Sequence, residues 1–234
     1  MVIKISNDFA GDVAHALNNV TSTLQAAELF LGDLPSTEAS DLATCAVEDA
    51  FADVLGIAAA MELHCFTNNF RSGLGESGRS ALMSGDFENI LDELKKASKS
   101  IIFRHEGDLW EGALPVDQDI FRIVLICAGA GIRKASGADH SIECRYGWTH
   151  GRLTSANGLE INLGDTGGAV MSPQSVSDKV FFWPLLDCLE ILKTLNIQIT
   201  LYENFSLRCF VAEDTKGPVY SNGSLSSLDQ GRIE

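Results

Sequence analysis

The stretch VAHALNNVTSTLQAAELFLGDL, residues 13–34, decides how the rest of the chain is read. Its apolar positions Val13, Leu17, Val20, Leu24, Ala27, Leu31 and Leu34 recur at alternating spacings of four and three, a heptad seam on one side of a helix. His15 falls on the side away from that seam. Asn19 stands one turn further on as its neighbour, and Asp12 one turn behind.

Asp33, Pro35 and Ser36 break this helix, and Ser36-Thr37-Glu38 can open a second one that runs to about Asn68. There Ala43, Val47, Ala50, Val54, Ile57 and Met61 repeat the seam, widened by Phe51, Leu55 and Ala58. Two long helices joined by a short loop form an antiparallel hairpin. One hairpin cannot bury so broad a stripe, so the pattern predicts a homodimer paired as a four-helix bundle.

Composition narrows the function. The chain has 234 residues, 45% of them hydrophobic, enough for a globular core. Acids outnumber Lys plus Arg by 32 to 17, a formal charge of −15. Between Lys4 and Arg71 there is no Lys or Arg at all, whereas ten Asp and Glu fall there. A basic stripe for nucleic acid is absent, and an anionic membrane would repel this surface. The six cysteines are scattered singly without CxxC spacing, and read as small core residues rather than metal or redox motifs. The apolar run in MVIKISNDFAGD is too short for a signal peptide, and no stretch reaches membrane-span length. A cytoplasmic location is the expectation.

From Asn69 to Gly85 the chain is rich in Gly, Ser and Arg and reads as a linker or loop. Beyond it the patterns predict a helix over 87–99, a strand over 100–105, a long apolar helix over 116–135, strands over 141–146 and 159–163, a helix over 180–194, and strands over 197–202 and 207–211. That order gives a sheet with helices on one face. The fold class is therefore α+β: a helical hairpin over 1–70, an α/β sandwich over 86–213, and a polar tail over 214–234.

HALNNV resembles the histidine box of sensor histidine kinases, commonly written H-E-L-N-N-P. His15, Leu17, Asn18 and Asn19 match, while Ala16 replaces the acid and Val20 the proline. The resemblance implies that His15 is the phosphorylated residue on the outer face of a dimeric hairpin. It also implies that Asn19 can orient water and that Asn18 and Asn19 line the contact with a receiver domain. The element order of the second half resembles the kinase ATP-binding domain, so the likeness spans most of residues 6–213.

The nucleotide motifs themselves are eroded. FRIVLICAGAGIRKASG, aligned with the helix that carries a magnesium-binding Asn, contains no Asn. INLGDTGGAV resembles the D-x-G-x-G loop in Asp165 and Gly167, but Ala169 replaces its last glycine. Gly164 and Gly168 complete what reads as a remnant turn. Where a second glycine-rich motif belongs stands VFFWPLLDCLEILKTL, with Phe181, Phe182 and Trp183. A phosphate cradle needs glycine-like backbone, which these aromatics do not supply. Loss of the acid and of the ATP site together resembles the ChpT-type histidine phosphotransferases. These relay phosphoryl groups between response-regulator receiver domains without ATP or any cofactor of their own, the receiver supplying aspartate and Mg²⁺. The alternatives are a non-catalytic pseudo-histidine-kinase that binds a receiver or kinase, and an ATP-dependent kinase with an unconventional site.

Overall fold

The computed structural model describes residues 13, 15–20, 22–27, 37–73, 81–98, 101–106, 110, 112–136, 141–150, 157–166, 168–171 and 180–213. Val13 and residues 15–20 and 22–27 are helical and form α1. There follow α2 (Thr37–Arg71), β1 (Leu82–Met83), α3 (Ser84–Ala97), β2 (Ile101–His105), β3 (Ala113–Leu114), α4 (Gln118–Ser136), β4 (Ile142–His150), β5 (Asn157–Leu163), α5 (Phe182–Thr194), β6 (Ile197–Tyr202) and β7 (Ser206–Ala212). The protein is α+β, helix-rich at its N-terminal end, with a mixed sheet behind. The break at Asp33 and Pro35, the loop of the expected hairpin, and the tail from Asp214 lie outside the described residues.

The main sheet has the order β2-β4-β5-β7-β6, with β2 parallel to β4 and the other pairs antiparallel. Side chains alternate across it as strand geometry requires. Cys144, Leu163, Leu207 and Leu201 form one register row, and Tyr146, Ile161, Cys209 and Ile199 the next. Apart from the half-buried Tyr146, these residues are buried. Between the rows Arg145, Asn162, Arg208 and Thr200 sit on the opposite face, half-exposed. Cross-strand ion pairs brace that face: Arg208 with Glu160 at 2.9 Å, and Arg104 with Glu143. The core gathers around Phe87, Phe121 and Phe182, all fully buried.

The linker expected over 69–85 is structured at both ends. Asn69, Phe70 and Arg71 complete α2, and Leu82 and Met83 pair as β1 with Leu114 and Ala113 of β3. Two-residue strands leave no periodic trace in sequence, which is why both were missed. The long apolar helix starts later than its hydrophobic pattern suggests. Asp117 caps it, its Oδ1 accepting the amides of Asp119 and Ile120 at 3.1 Å each. Strand β4 continues past Tyr146 to His150 because Gly147 has no side chain. A Cβ there would run into the carbonyl of Glu106, whose amide donates to the Tyr146 carbonyl at 2.7 Å.

The seams of α1 and α2 divide in two. Val13, Val20 and Ala27 are buried, as are Ala43, Ala50 and Ile57. Leu17 is 42% exposed and Leu24 43%, with Val47, Phe51, Val54 and Met61 between 43 and 53%. Each helix thus buries one edge of its stripe within the chain and leaves the other in water.

Cys45 and Cys65 are exposed, whereas Cys127, Cys144, Cys188 and Cys209 are buried. Burial pushes the Cys144, Cys188 and Cys209 thiols up to about 12 from an ordinary value of 9.0. A thiol reagent at pH 8 should therefore modify Cys45 and Cys65 rapidly and the other four only after denaturation. The sign of the pH effect follows from the unfolded chain ionising first. Stability is intact below pH 9 and falls as pH climbs towards 12, visible as a lower urea midpoint at pH 10 than at pH 8.

Candidate functional site

His15, Asn18 and Asn19 are all exposed on α1. With 3.6 residues per turn, His15 and Leu17 stand roughly 160° apart around the helix, so the exposed apolar strip and the histidine occupy different faces. The carbonyls of Asn18 and Asn19 accept the hydroxyls of Ser22 and Thr23, each at 3.0 Å. These contacts use backbone oxygens and leave the Asn amide groups to the surface. Ala16 packs half-buried against the core cluster that holds Val13, Val20, Ala50 and Ile57. A carboxylate there would have to give up part of its hydration, which supplies a physical reason for alanine.

The Asp165 loop follows β5. Gly164 takes a φ of +79°, its amide donates to the Glu143 carbonyl at 2.8 Å, and a Cβ there would sit 3.1 Å from that of Ser206. Gly168 has φ +132°. The Asp165 carbonyl accepts Asn204 Nδ2 at 2.7 Å and Ser206 Oγ at 2.8 Å, while the residue itself remains exposed. A cavity of about 400 Å³ adjoins it, lined among others by Ser136, Glu143, Arg145 and Phe205. Gly167 lies outside the described residues. The loop and His15 sit on separate elements, Asp165 after β5 and His15 on α1.

The aromatic run before α5 turns inward. Phe181 and Phe182 are buried, and the Phe182 ring lies 5.6 Å from that of Phe205. Phe205 is held at φ +55°, an unusual conformation for so bulky a residue, and the ring contact helps keep it there. Cys127 of α4 donates its thiol to the Phe181 carbonyl at 3.2 Å. Gly131 of α4 faces this pair with no room for a side chain. A Cβ there would stand 2.9 Å from Phe181 Cβ and 3.1 Å from Phe182 Cζ. The space between α4 and the segment entering α5 is filled by rings, and α5 begins without a side-chain cap.

Sequence reasoning missed a third constellation, which joins α2 to the α/β half. Arg133 hydrogen-bonds Asp53 and lies 3.7 Å from Asp49, and Lys134 reaches Asp53 at 3.2 Å. Arg122 pairs with Glu62 at 3.6 Å and Glu93 at 3.2 Å. Arg71 grips both oxygens of the Asp187 carboxylate at 2.9 Å and its carbonyl at 2.8 Å. The only trace of it in the sequence is an Arg-Lys pair near the end of a mainly apolar helix and a stretch between Lys4 and Arg71 without cations; neither says which helices meet. Among the described residues no group of three or more His, Cys, Asp and Glu is placed to hold a metal. No helix among them is long and apolar enough to cross a membrane.

No protein-family profile and no curated protein matches the sequence. Several solved structures are similar to it. The histidine kinase AdeS of Acinetobacter baumannii is 12% identical, covering 86% of this chain and 98% of its own, at a TM-score of 0.43. A bacterial phosphotransferase is 13% identical over 91% of this chain and 97% of its own, at 0.45. Histidine kinase ThkA, solved in complex with response regulator protein TrrA, is 13% identical over 91% of this chain and 63% of its own, at 0.44.

Substituting Gly131 by Asn forces a side chain into Phe181 and Phe182. It should destabilise the fold by about 1–3 kcal/mol in urea titration, as overpacking does, rather than create a functional site.

Proposed function

We propose that this protein is a cytoplasmic histidine phosphotransferase of the ChpT type, relaying phosphoryl groups between receiver domains without using ATP. The observation that carries the reading is the exposed His15–Asn19 pair, set on α1 away from both the buried seam and the exposed apolar strip. An acceptor that exchanges phosphate with another protein must stand clear of its own core and of any dimer contact.

The chemistry asks little else of this chain. A neutral imidazole offers an unprotonated ring nitrogen near neutral pH. It attacks the phosphorus of the receiver's aspartyl phosphate in line. A P–N bond forms as the acyl P–O bond breaks, and the aspartate leaves as a carboxylate. The second receiver reverses the step. Mg²⁺ belongs to the receiver, and Asn18 and Asn19 position the two partners. Ring packing at Gly131 and the degraded Asp165 loop support the absence of an ATP step, with Asp165 remaining in a structural turn tied to Asn204 and Ser206.

In this reading residues 1–70 form the antiparallel hairpin for dimerisation and transfer, 86–213 a degenerate ATPase-like domain, and 214–234 a tail. The exposed strip of Leu17, Leu24, Val47, Phe51, Val54 and Met61 is the dimer seam. Paired with a second copy, it completes a four-helix bundle and leaves His15 outside.

Incubated with a phosphorylated receiver domain, the wild-type protein should acquire acid-labile label and His15→Ala none. Asn19→Ala should transfer more slowly while still binding. The competing reading is a non-catalytic pseudokinase, favoured by Ala16 at the position beside the histidine. Receiver binding with no label on the wild type would establish it. For the dimer, Val54→Glu with Phe51→Glu should halve the mass seen by sedimentation while leaving circular dichroism unchanged.

A further inference from the structure

We propose that α2 and the α/β half form one rigid body, joined by a fixed joint and not by a hinge. The inference stands apart from the phosphocarrier reading, because it concerns how α2 meets α4 and α5.

The joint is pinned at three heights. Near Asp49 and Asp53 it is held by Arg133 and Lys134, at Glu62 by Arg122, and at Arg71 by Asp187. From Asp49 to Arg71 the helix rises roughly 33 Å, so the pins are spread along most of its docked length. Rotation about any one of them would pull the others apart. Exposed ion pairs contribute little singly. Arg133 differs, because its side chain is 9% exposed and that of Asp53 17%. Separating them would leave two poorly hydrated charges without their partner.

Steric fit points the same way. Gly56 of α2 lies against Ala130 of α4 and the Phe181 ring; a Cβ at 56 would overlap the Ala130 methyl and come within 2.9 Å of Phe181 Cε1. Ala52, Ala60, Leu63 and Thr67 on this side of α2 are fully buried. Ala60 and Leu63 belong to the same core cluster as Phe121 and Leu185 of the α/β half. Domains that swing apart meet through smaller, more polar contacts than a shared core. The consequence is that a partner docking on the helices meets the α/β surface in one fixed geometry.

Pulsed electron-electron spin resonance tests this on the full chain. Nitroxides go on exposed Cys45 of α2 and on Gln198→Cys of β6, with Cys65→Ser to remove the other reactive thiol. The buried thiols stay unlabelled, and dilution with unlabelled protein suppresses any signal between copies. We expect one narrow distance distribution. Arg71→Ala, Arg122→Ala and Arg133→Ala combined should broaden it at unchanged helix content. A broad or two-peaked distribution in the otherwise native chain overturns the proposal. An unbroadened triple variant overturns the role given to the ion pairs. If the triple variant unfolds, Gly56→Ala replaces it, and an unchanged distribution there overturns the role given to the close approach.

Discussion

The close approach of α2 to α4 at Gly56, Ala130 and Phe181 is the constraint on which the rest of the molecule depends. Glycine on α2 and alanine on α4 leave room for the two helices to come this near, and the Phe181 ring closes the space beside them. Phe181 also crowds Gly131, and Phe182 continues into the ring of Phe205 beside the Asp165 loop. One run of packing therefore ties the helical N-terminal part to the sheet and fills the space over α4. The charges arrange themselves around it. Asp49, Asp53 and Glu62, three acids of α2, are matched by Arg133, Lys134 and Arg122.

This arrangement separates three surfaces. The inward side of α2 is committed to α4 and α5. The strip from Val47 to Met61, with Leu17 and Leu24, is apolar and unburied within the chain. The His15 face of α1 is polar and free of both. A relay protein requires such a division, since dimer contacts and exchange of partners must not compete for one surface. In the proposed function the α/β half contributes position instead of nucleotide chemistry.

The sequence made much of this legible, and the physical reasons are specific. Long elements with strong periodicity, α2, α4 and the alternating β5 and β6, stand close to where their patterns put them. The inward turn of Phe181 and Phe182 followed from their bulk, and the exposure of His15 from the seam alone. Boundaries set by single contacts were less readable. Asp117 moved the start of α4, Gly147 let β4 run on, and Arg71 held α2 past Asn68 through a partner 116 residues away. β1 and β3, two residues each, have no period to detect. The Asp53–Arg133 joint was invisible because it depends on which helices meet, and residue spacing does not carry that. Ala16 looked like a mere departure from a motif until its half-buried position against the core gave it a reason.

The most direct test of the central claim is ³¹P NMR of the protein after exposure to a phosphorylated receiver domain, with the His15→Ala variant alongside. A phosphoramidate resonance in the wild type, absent from the variant and lost when a second, unphosphorylated receiver is added, is the predicted result. A resonance that persists in His15→Ala, or a receiver that binds and keeps its phosphate, would contradict the account.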